Sequence, residues 1–75
     1  MIDTTGRHPS TAHIARFFRY GHLGDDEART VSMRCSTFAE AMIDALPDGP
    51  ELTAGLRHLL EAKDCFVRAA LPEDD

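Results

Sequence analysis

The fold of this chain is set by residues 25–72, which read DDEARTVSMRCSTFAEAMIDALPDGPELTAGLRHLLEAKDCFVRAALP. Two segments of roughly 20 residues, each about 30 Å long as a helix, flank the turn sequence Asp48-Gly49-Pro50. Pro47 ends the first segment because a proline ring cannot continue a helix. A short loop between helices of equal length makes them antiparallel neighbours. The sequence therefore predicts an antiparallel helical hairpin.

Each long segment carries an apolar face at helical spacing. In the first, steps of four, three, four and three residues predict a heptad-like seam, made of Val31, Cys35, Phe38, Met42 and Ala45. In the second, the predicted face comprises Leu52, Leu56, Leu59 and Phe66. Asp48 and Glu51 have the spacing of a capping box, which would satisfy free N–H groups where the second segment starts.

A short helix of about ten residues is predicted ahead of the hairpin. Ser10 is its predicted N-cap, and Gly21 stands where such a helix would stop. Between them, apolar residues recur at helical spacing, namely Ile14, Phe17 and Phe18. The predicted organisation is a flexible arm over residues 1–9, a helical hairpin domain over residues 10–72 and an acidic tail over residues 73–75.

The chain is short enough that it needs help to fold. A domain of 75 residues buries only about 60% of the surface that its unfolded form exposes. Neither cysteine lies in a CxxC pair, and the four histidines show no metal-binding spacing. Partner subunits remain as the stabilising device, and they would cover the apolar residues that a lone hairpin exposes, namely Phe17, Ile43, Leu46, Leu60 and Val67. We therefore expect an all-α homo-oligomer.

Composition and charge exclude several classes of function. The net charge is −5, whereas proteins that bind DNA or RNA generally present a broad basic face. No apolar run reaches the roughly 20 residues of a membrane span, and the N-terminus lacks the layout of a signal sequence. We expect a cytoplasmic protein with no DNA or membrane partner. A few arginines remain able to hold a small anionic ligand.

The sequence shows no catalytic constellation. Cys35 and Cys65 lie on or near apolar faces, where a small buried thiol is the usual role. The carboxylates have the positions of caps, tails and solvated faces rather than of a paired acid and base. We expect neither enzyme activity, nor a metal, nor a cofactor.

The stretch Arg16-Phe17-Phe18-Arg19-Tyr20-Gly21-His22 combines aromatic rings with guanidinium groups. Rings of this kind stack on nucleobases and arginines bind phosphate. The alternative is that the phenylalanines anchor the short helix while the charged side chains stay in water. Both interpretations remain open from the sequence.

Two further polar groups lie on the long helices. Arg34, Ser36 and Thr37 form a polar patch on the first, which suits either a ligand face or a solvated face. Arg57, His58, Lys63 and Arg68 give the second a basic character. Ordinary ion pairs with Glu61 and Asp64 explain this second group equally well.

Residues 8–72 also resemble a known family. The stretches HPSTAHIARFFRYGHL and LPDGPELTAGLRHLLEAKDCFVRAAL are similar to short proteins of actinobacterial phages and prophages. More distantly, they resemble the phage anti-CBASS sponge family, whose helical hairpin is shared with a Thoeris anti-defence family. The markers are Tyr20 followed by Leu23 and an acidic helix start, and the ending FVRAALP at residues 66–72.

The resemblance implies a homohexamer that sequesters cyclic oligonucleotide signals without cleaving them, which blocks antiviral signalling in the host cytoplasm. It implies that Tyr20 stacks on a base of a cyclic dinucleotide at a protomer interface. Arg34 with Ser36 or Thr37 would meet the phosphates, with Arg in place of the family's lysine. A separate cyclic trinucleotide site would use Arg57 or Arg68. A helical adaptor that binds a host protein through its apolar flank is the alternative function.

Overall fold

The computed structural model describes residues 2–19, 24 and 26–71. Within these ranges the secondary structure consists of three α-helices and no strand. They are α1 (Pro9–Ala15), α2 (Asp26–Ala45) and α3 (Pro50–Ala70). The all-α prediction is confirmed. None of the described helices is long and apolar enough to cross a bilayer.

The core lies where α2 and α3 pack along each other and α1 rests mainly on α3. The molecule measures 44 × 19 × 17 Å, so one long dimension follows the two long helices. Removing apolar surface from water stabilises this arrangement by about 25 cal/mol per Å². The buried cluster comprises Ile14, Ala15, Phe18, Ala39, Ile43, Leu52 and Leu56.

The buried face of α2 differs from the predicted seam. Phe38 is 55% exposed and Ala45 is also exposed, whereas Ile43, which was expected outside the seam, is completely buried. Of the predicted seam, Cys35 alone is buried. The physical reason is that α2 turns small side chains inward and so lets neighbouring segments approach closely. Its buried residues are Ala28, Ser32, Cys35, Ser36, Ala39 and Ile43.

The buried face of α3 agrees with the prediction over its first half only. Leu52 and Leu56 are buried, and Leu59 is partly buried against the core. Phe66, predicted on the same face, is 54% exposed. The buried position between them is occupied by Lys63, which is 7% exposed.

Arg7 attaches the N-terminal arm to the end of α2. Its guanidinium donates to the main-chain oxygens of Ile43 and Leu46, and its Nε lies 3.0 Å from Asp48 Oδ1. The last turn of α2 has no basic residue of its own, so Arg7 supplies the cation that the negative helix end favours. The arm that we expected to be flexible thus has specific contacts with the helices.

Both predicted helix starts are wrong in detail. The N-cap of α1 is His8, whose Nδ1 accepts from the Ser10 N–H at 3.0 Å, so Ser10 lies inside the helix. The N-cap of α3 is Gly49, and no side chain caps it. Asp48 therefore forms no capping box with Glu51. Its carboxylate instead accepts from the His8 N–H and the Thr11 hydroxyl, at 3.0 and 2.9 Å.

Candidate functional site

After α1 ends at Ala15, three consecutive main-chain oxygens are each bound by a buried side chain. Lys63 Nζ donates to Phe17 O at 2.7 Å. Ser36 Oγ donates to Phe18 O at 3.0 Å, and Ser32 Oγ donates to Arg19 O at 2.9 Å. We call these three donors, Ser32, Ser36 and Lys63, the carbonyl cradle. Because two donors lie on α2 and one on α3, the cradle ties residues 17–19 to both long helices.

The two phenylalanines of this segment have different roles. Phe18 is 2% exposed and belongs to the core cluster, as the anchoring interpretation expects. Phe17 is 46% exposed, and its ring meets the His13 ring edge-on at 5.6 Å between centroids. One ring of the pair therefore remains available for contact with a ligand or another chain.

The arginines predicted to bind phosphate have exposed side chains. Arg16, Arg19 and Arg34 are exposed, and none of them makes an ion pair with a carboxylate in the described part of the chain. Thr37 is also exposed, one residue from the cradle's Ser36. Tyr20, the predicted stacking residue, lies outside the described residues, as does His22.

The predicted phosphate ligand Ser36 has a different role in the structure. Its side chain is buried, and its hydroxyl is spent on Phe18 O. A ligand at the surface has no access to that hydroxyl. The exposed members of the predicted phosphate group are therefore Arg34 and Thr37.

A second candidate site is a groove of about 510 Å³ at the start of α3. Arg57 and His58 line it, together with the N-cap His8 and with Asp48. His58 Nδ1 lies 3.3 Å from Glu61 Oε1, and both side chains are highly exposed. Arg57 makes no ion pair with a carboxylate of the described residues. The groove thus presents the guanidinium group of Arg57 and two histidine rings.

Arg68, the third residue predicted for that site, is not in the groove. It is 11 positions beyond Arg57 on α3, or about 16 Å along the helix axis. Its side chain contacts Cys65 Sγ at 3.5 Å instead of pairing with Asp64. Within one chain, the structure brings Arg57 and His58 together and leaves Arg68 apart.

Lys63 and Asp48 have structural roles that differ from those predicted, since Lys63 was expected as part of a basic group and Asp48 as part of a capping box. Burial lowers the pKa of Lys63 below its ordinary value, with opposing contributions from nearby Asp64 and Cys35. The pKa of Asp48 is lowered by its hydrogen bond from the His8 N–H and further by Thr11 and Arg7. For Lys63 a signal was present, because it stands seven positions after Leu56 on the apolar face.

The two cysteines lie in different environments. Burial raises the pKa of the Cys35 thiol, which makes it a weaker nucleophile near neutral pH. Cys65, which was also expected to be buried, is exposed, and the two cysteines form no disulfide bond. His, Cys, Asp and Glu side chains form no group of three that could hold a metal ion within the described ranges.

Comparison of the chain with models of protein families, with curated proteins and with solved structures yields no match.

Proposed function

We propose that this chain binds and sequesters cyclic oligonucleotide second messengers without cleaving them. The observation that carries the proposal is that Arg16 and Arg19, on the segment that the cradle fixes between two helices, and Arg34 on α2 are exposed and make no ion pair with a carboxylate of the described residues. These three arginines are exposed although the chain as a whole is acidic, with a net charge of −5. Exposed arginines that have no carboxylate partner among the described residues have the means to bind a small anion.

The chemistry of these side chains suits a cyclic dinucleotide. Guanidinium groups bind phosphate oxygens through paired, charge-assisted hydrogen bonds. An aromatic ring adds about 1–3 kcal/mol for each base that stacks on it. Phe17 offers a half-exposed ring in the described segment, and the family resemblance assigns the stacking role to Tyr20. The Thr37 hydroxyl supplies a neutral donor next to Arg34.

Larger cyclic oligonucleotides would use the groove at the start of α3. Its volume of about 510 Å³ and its unpaired Arg57 suit part of a cyclic trinucleotide. Arg68 is too far along α3 to join the same groove from the same chain. It would take part only if another copy of the chain supplied it.

We further infer that α2 and α3 form an antiparallel hairpin and that copies of it assemble, as a hexamer by the family resemblance. The support is that large apolar side chains remain exposed in the single chain, which is unusual for a small monomer. Among the described residues, six of them are more than 40% exposed, namely Phe17, Met33, Phe38, Leu46, Phe66 and Leu71. A symmetric interface would offer duplicate cations to a cyclic ligand with two-fold character.

The test is a calorimetric titration of the full chain with a panel of cyclic di- and trinucleotides. We expect tight binding, and recovery of the unchanged nucleotide after the protein is denatured. Loss of one charge-assisted contact costs about 1.5–3 kcal/mol, so Arg34→Ala should weaken dinucleotide binding about 10- to 100-fold. The matched control is Arg29→Ala on the same helix, because Arg29 already lies 3.7 Å from Asp26. A panel with no heat of binding contradicts the proposal, and a cleaved nucleotide contradicts sequestration.

The exposed apolar side chains also support a second candidate function, a helical adaptor that binds a host protein. Two results together would favour it: a stoichiometric protein partner recovered with the chain, and a monomeric mass for the chain alone. Binding of a cyclic nucleotide by a stable oligomer would exclude it as the main function.

A further inference from the structure

We propose that Lys63 is a positioning residue, whose ammonium group holds residues 16–19 in the conformation that presents Arg16 and Arg19 to a bound ligand. The binding part of this inference rests on the proposed function. The positioning part concerns the chain alone and is testable without any ligand.

Lys63 is the only lysine of the chain, and it is buried. Seven arginines supply the other basic side chains, and Lys63 is 7% exposed. Its position on α3 continues the apolar face of Leu52 and Leu56, so its aliphatic stem covers part of the core surface as an apolar side chain would. Its ammonium group then reaches Phe17 O at 2.7 Å and lies 5.9 Å from the centroid of the Phe18 ring.

The surroundings of the ammonium group are not those of a stabilising ion pair. Asp64 on α3 and the Cys35 thiol on α2 favour its charge, while Arg19 on the held segment opposes it. No carboxylate of the described residues lies within ion-pair distance of Lys63. A buried charge without such a partner is unfavourable for folding, and an apolar residue would often serve the core better. The contact with Phe17 O is the specific interaction that this charge provides.

The cradle shows what would be lost without Lys63. Ser32 and Ser36 hold Arg19 and Phe18 to α2. Lys63 makes the only side-chain hydrogen bond among the described residues that joins this segment to α3. Without it, the end of the segment that carries Arg16 and Phe17 would lose its side-chain hydrogen bond to α3, while the end held by the serines would keep both of its hydrogen bonds to α2.

The experiment compares Lys63→Met, Lys63→Arg and the charge-matched control Arg29→Met. The chain contains one tyrosine and no tryptophan, and Tyr20 directly follows the held segment in the sequence. The anisotropy of its fluorescence therefore reports motion of the chain at this point when the compared proteins have the same mass, which sedimentation velocity establishes. We expect Lys63→Met to keep its helical circular dichroism, to lower the anisotropy and to weaken binding of cyclic di-AMP at least 10-fold. Lys63→Arg, which keeps a donating cation, should recover part of both signals, and Arg29→Met should match the wild type.

A second measurement uses the wild type and covers the case in which Lys63→Met does not fold. Selective ¹⁵N labelling of lysine gives a single side-chain ammonium signal, and we expect that signal to exchange slowly with water. Fast exchange, as for a surface lysine, contradicts the proposal. So does an anisotropy in folded Lys63→Met that equals that of the wild type.

The outcomes for the two proposals are distinguishable. If wild-type protein shows no affinity for any cyclic nucleotide but Lys63→Met lowers the anisotropy, the proposed function fails and the positioning role stands. If the wild type binds a cyclic dinucleotide and Lys63→Met binds it equally well, the positioning role is refuted and the proposed function stands.

Discussion

Single side chains in this protein contact residues that are distant in the sequence. Asp48 is the clearest case, because its carboxylate joins three groups of the N-terminal region to the loop between α2 and α3. It accepts from the His8 N–H, the Thr11 hydroxyl and Arg7 Nε at 3.0, 2.9 and 3.0 Å. These donors favour the ionised form and so lower the pKa of Asp48 from its ordinary value of 3.8. The network therefore depends on the charge of one carboxylate.

This dependence predicts an acid-sensitive contribution to stability. A carboxyl group whose pKa is lower in the folded state stabilises the fold above its unfolded pKa, and the contribution is lost as the pH falls through the lowered value. We expect Asp48→Asn to lower the melting temperature at pH 7 and to flatten its decline between pH 5 and pH 2. Thermal melts of both proteins over this range make the comparison. Melting curves that shift in parallel with pH would show that Asp48 is not responsible.

At the scale of helices, the end of α2 is completed by a residue that is distant in sequence. Arg7 donates to the main-chain oxygens of Ile43 and Leu46. Ile43 O is one of the last helical carbonyls, which have no partner within the helix, and Leu46 directly follows the helix end. The arm thereby contributes to the stability of a helix that begins 19 positions after Arg7.

We predict that Arg7→Met destabilises the chain by about 1–3 kcal/mol, the usual cost of leaving buried or partly buried acceptors unsatisfied. Chemical denaturation followed by circular dichroism measures it. The control is Arg29→Met, an arginine removed from the exposed face of α2 itself. Equal effects of the two variants would indicate a general charge effect instead of a cap.

The corrected face of α2 gives another prediction. Ile43→Ala removes a completely buried side chain and should cost about 2–5 kcal/mol of unfolding free energy. Met42→Ala, the neighbouring substitution on the seam predicted from sequence, is only partly buried and should cost clearly less. Urea unfolding of both variants decides between the two faces, and a larger loss for Met42→Ala would contradict the structure.

The sequence was sufficient to predict the helices but not the faces they bury. Prolines, the turn at residues 47–50 and apolar spacing identify α2 and α3 because these signals are local. The orientation of α2 depends on Ser32 and Ser36, whose partners are 13 and 18 residues away, and that of α3 on Lys63, whose partner is 46 residues away. Such distant pairing leaves no local periodicity. The exposure of the arginines could be predicted from sequence because arginine is mostly found at the surface. The buried role of Ser36 could not, because its partner Phe18 is 18 residues away.

At the scale of the whole molecule, the single chain leaves apolar surface on both long helices. Phe38 on α2 and Phe66 on α3 are each more than half exposed. Their exposure is the expected result if copies of the chain cover each other's flanks. If the proposed ligand site lies between copies, binding requires assembly, because such a site exists only while the copies are associated.

We predict that Phe38→Glu disrupts assembly while the single chain retains its helices, since this side chain contributes little to the internal core. Sedimentation velocity measures the mass and circular dichroism the helicity. Cyclic dinucleotide affinity should fall together with the mass. A variant that remains assembled would exclude this flank from the interface, and one that binds normally as a monomer would remove the need for an interface site.

Native mass spectrometry of the full chain, with and without a mixture of cyclic di- and trinucleotides, tests the central claim most directly. We predict a mass that is a whole multiple of the 8.3 kDa chain, with six copies expected, and an added mass equal to that of intact cyclic nucleotide. A single folded chain at micromolar concentration that gains no mass from any nucleotide in the mixture would contradict the account.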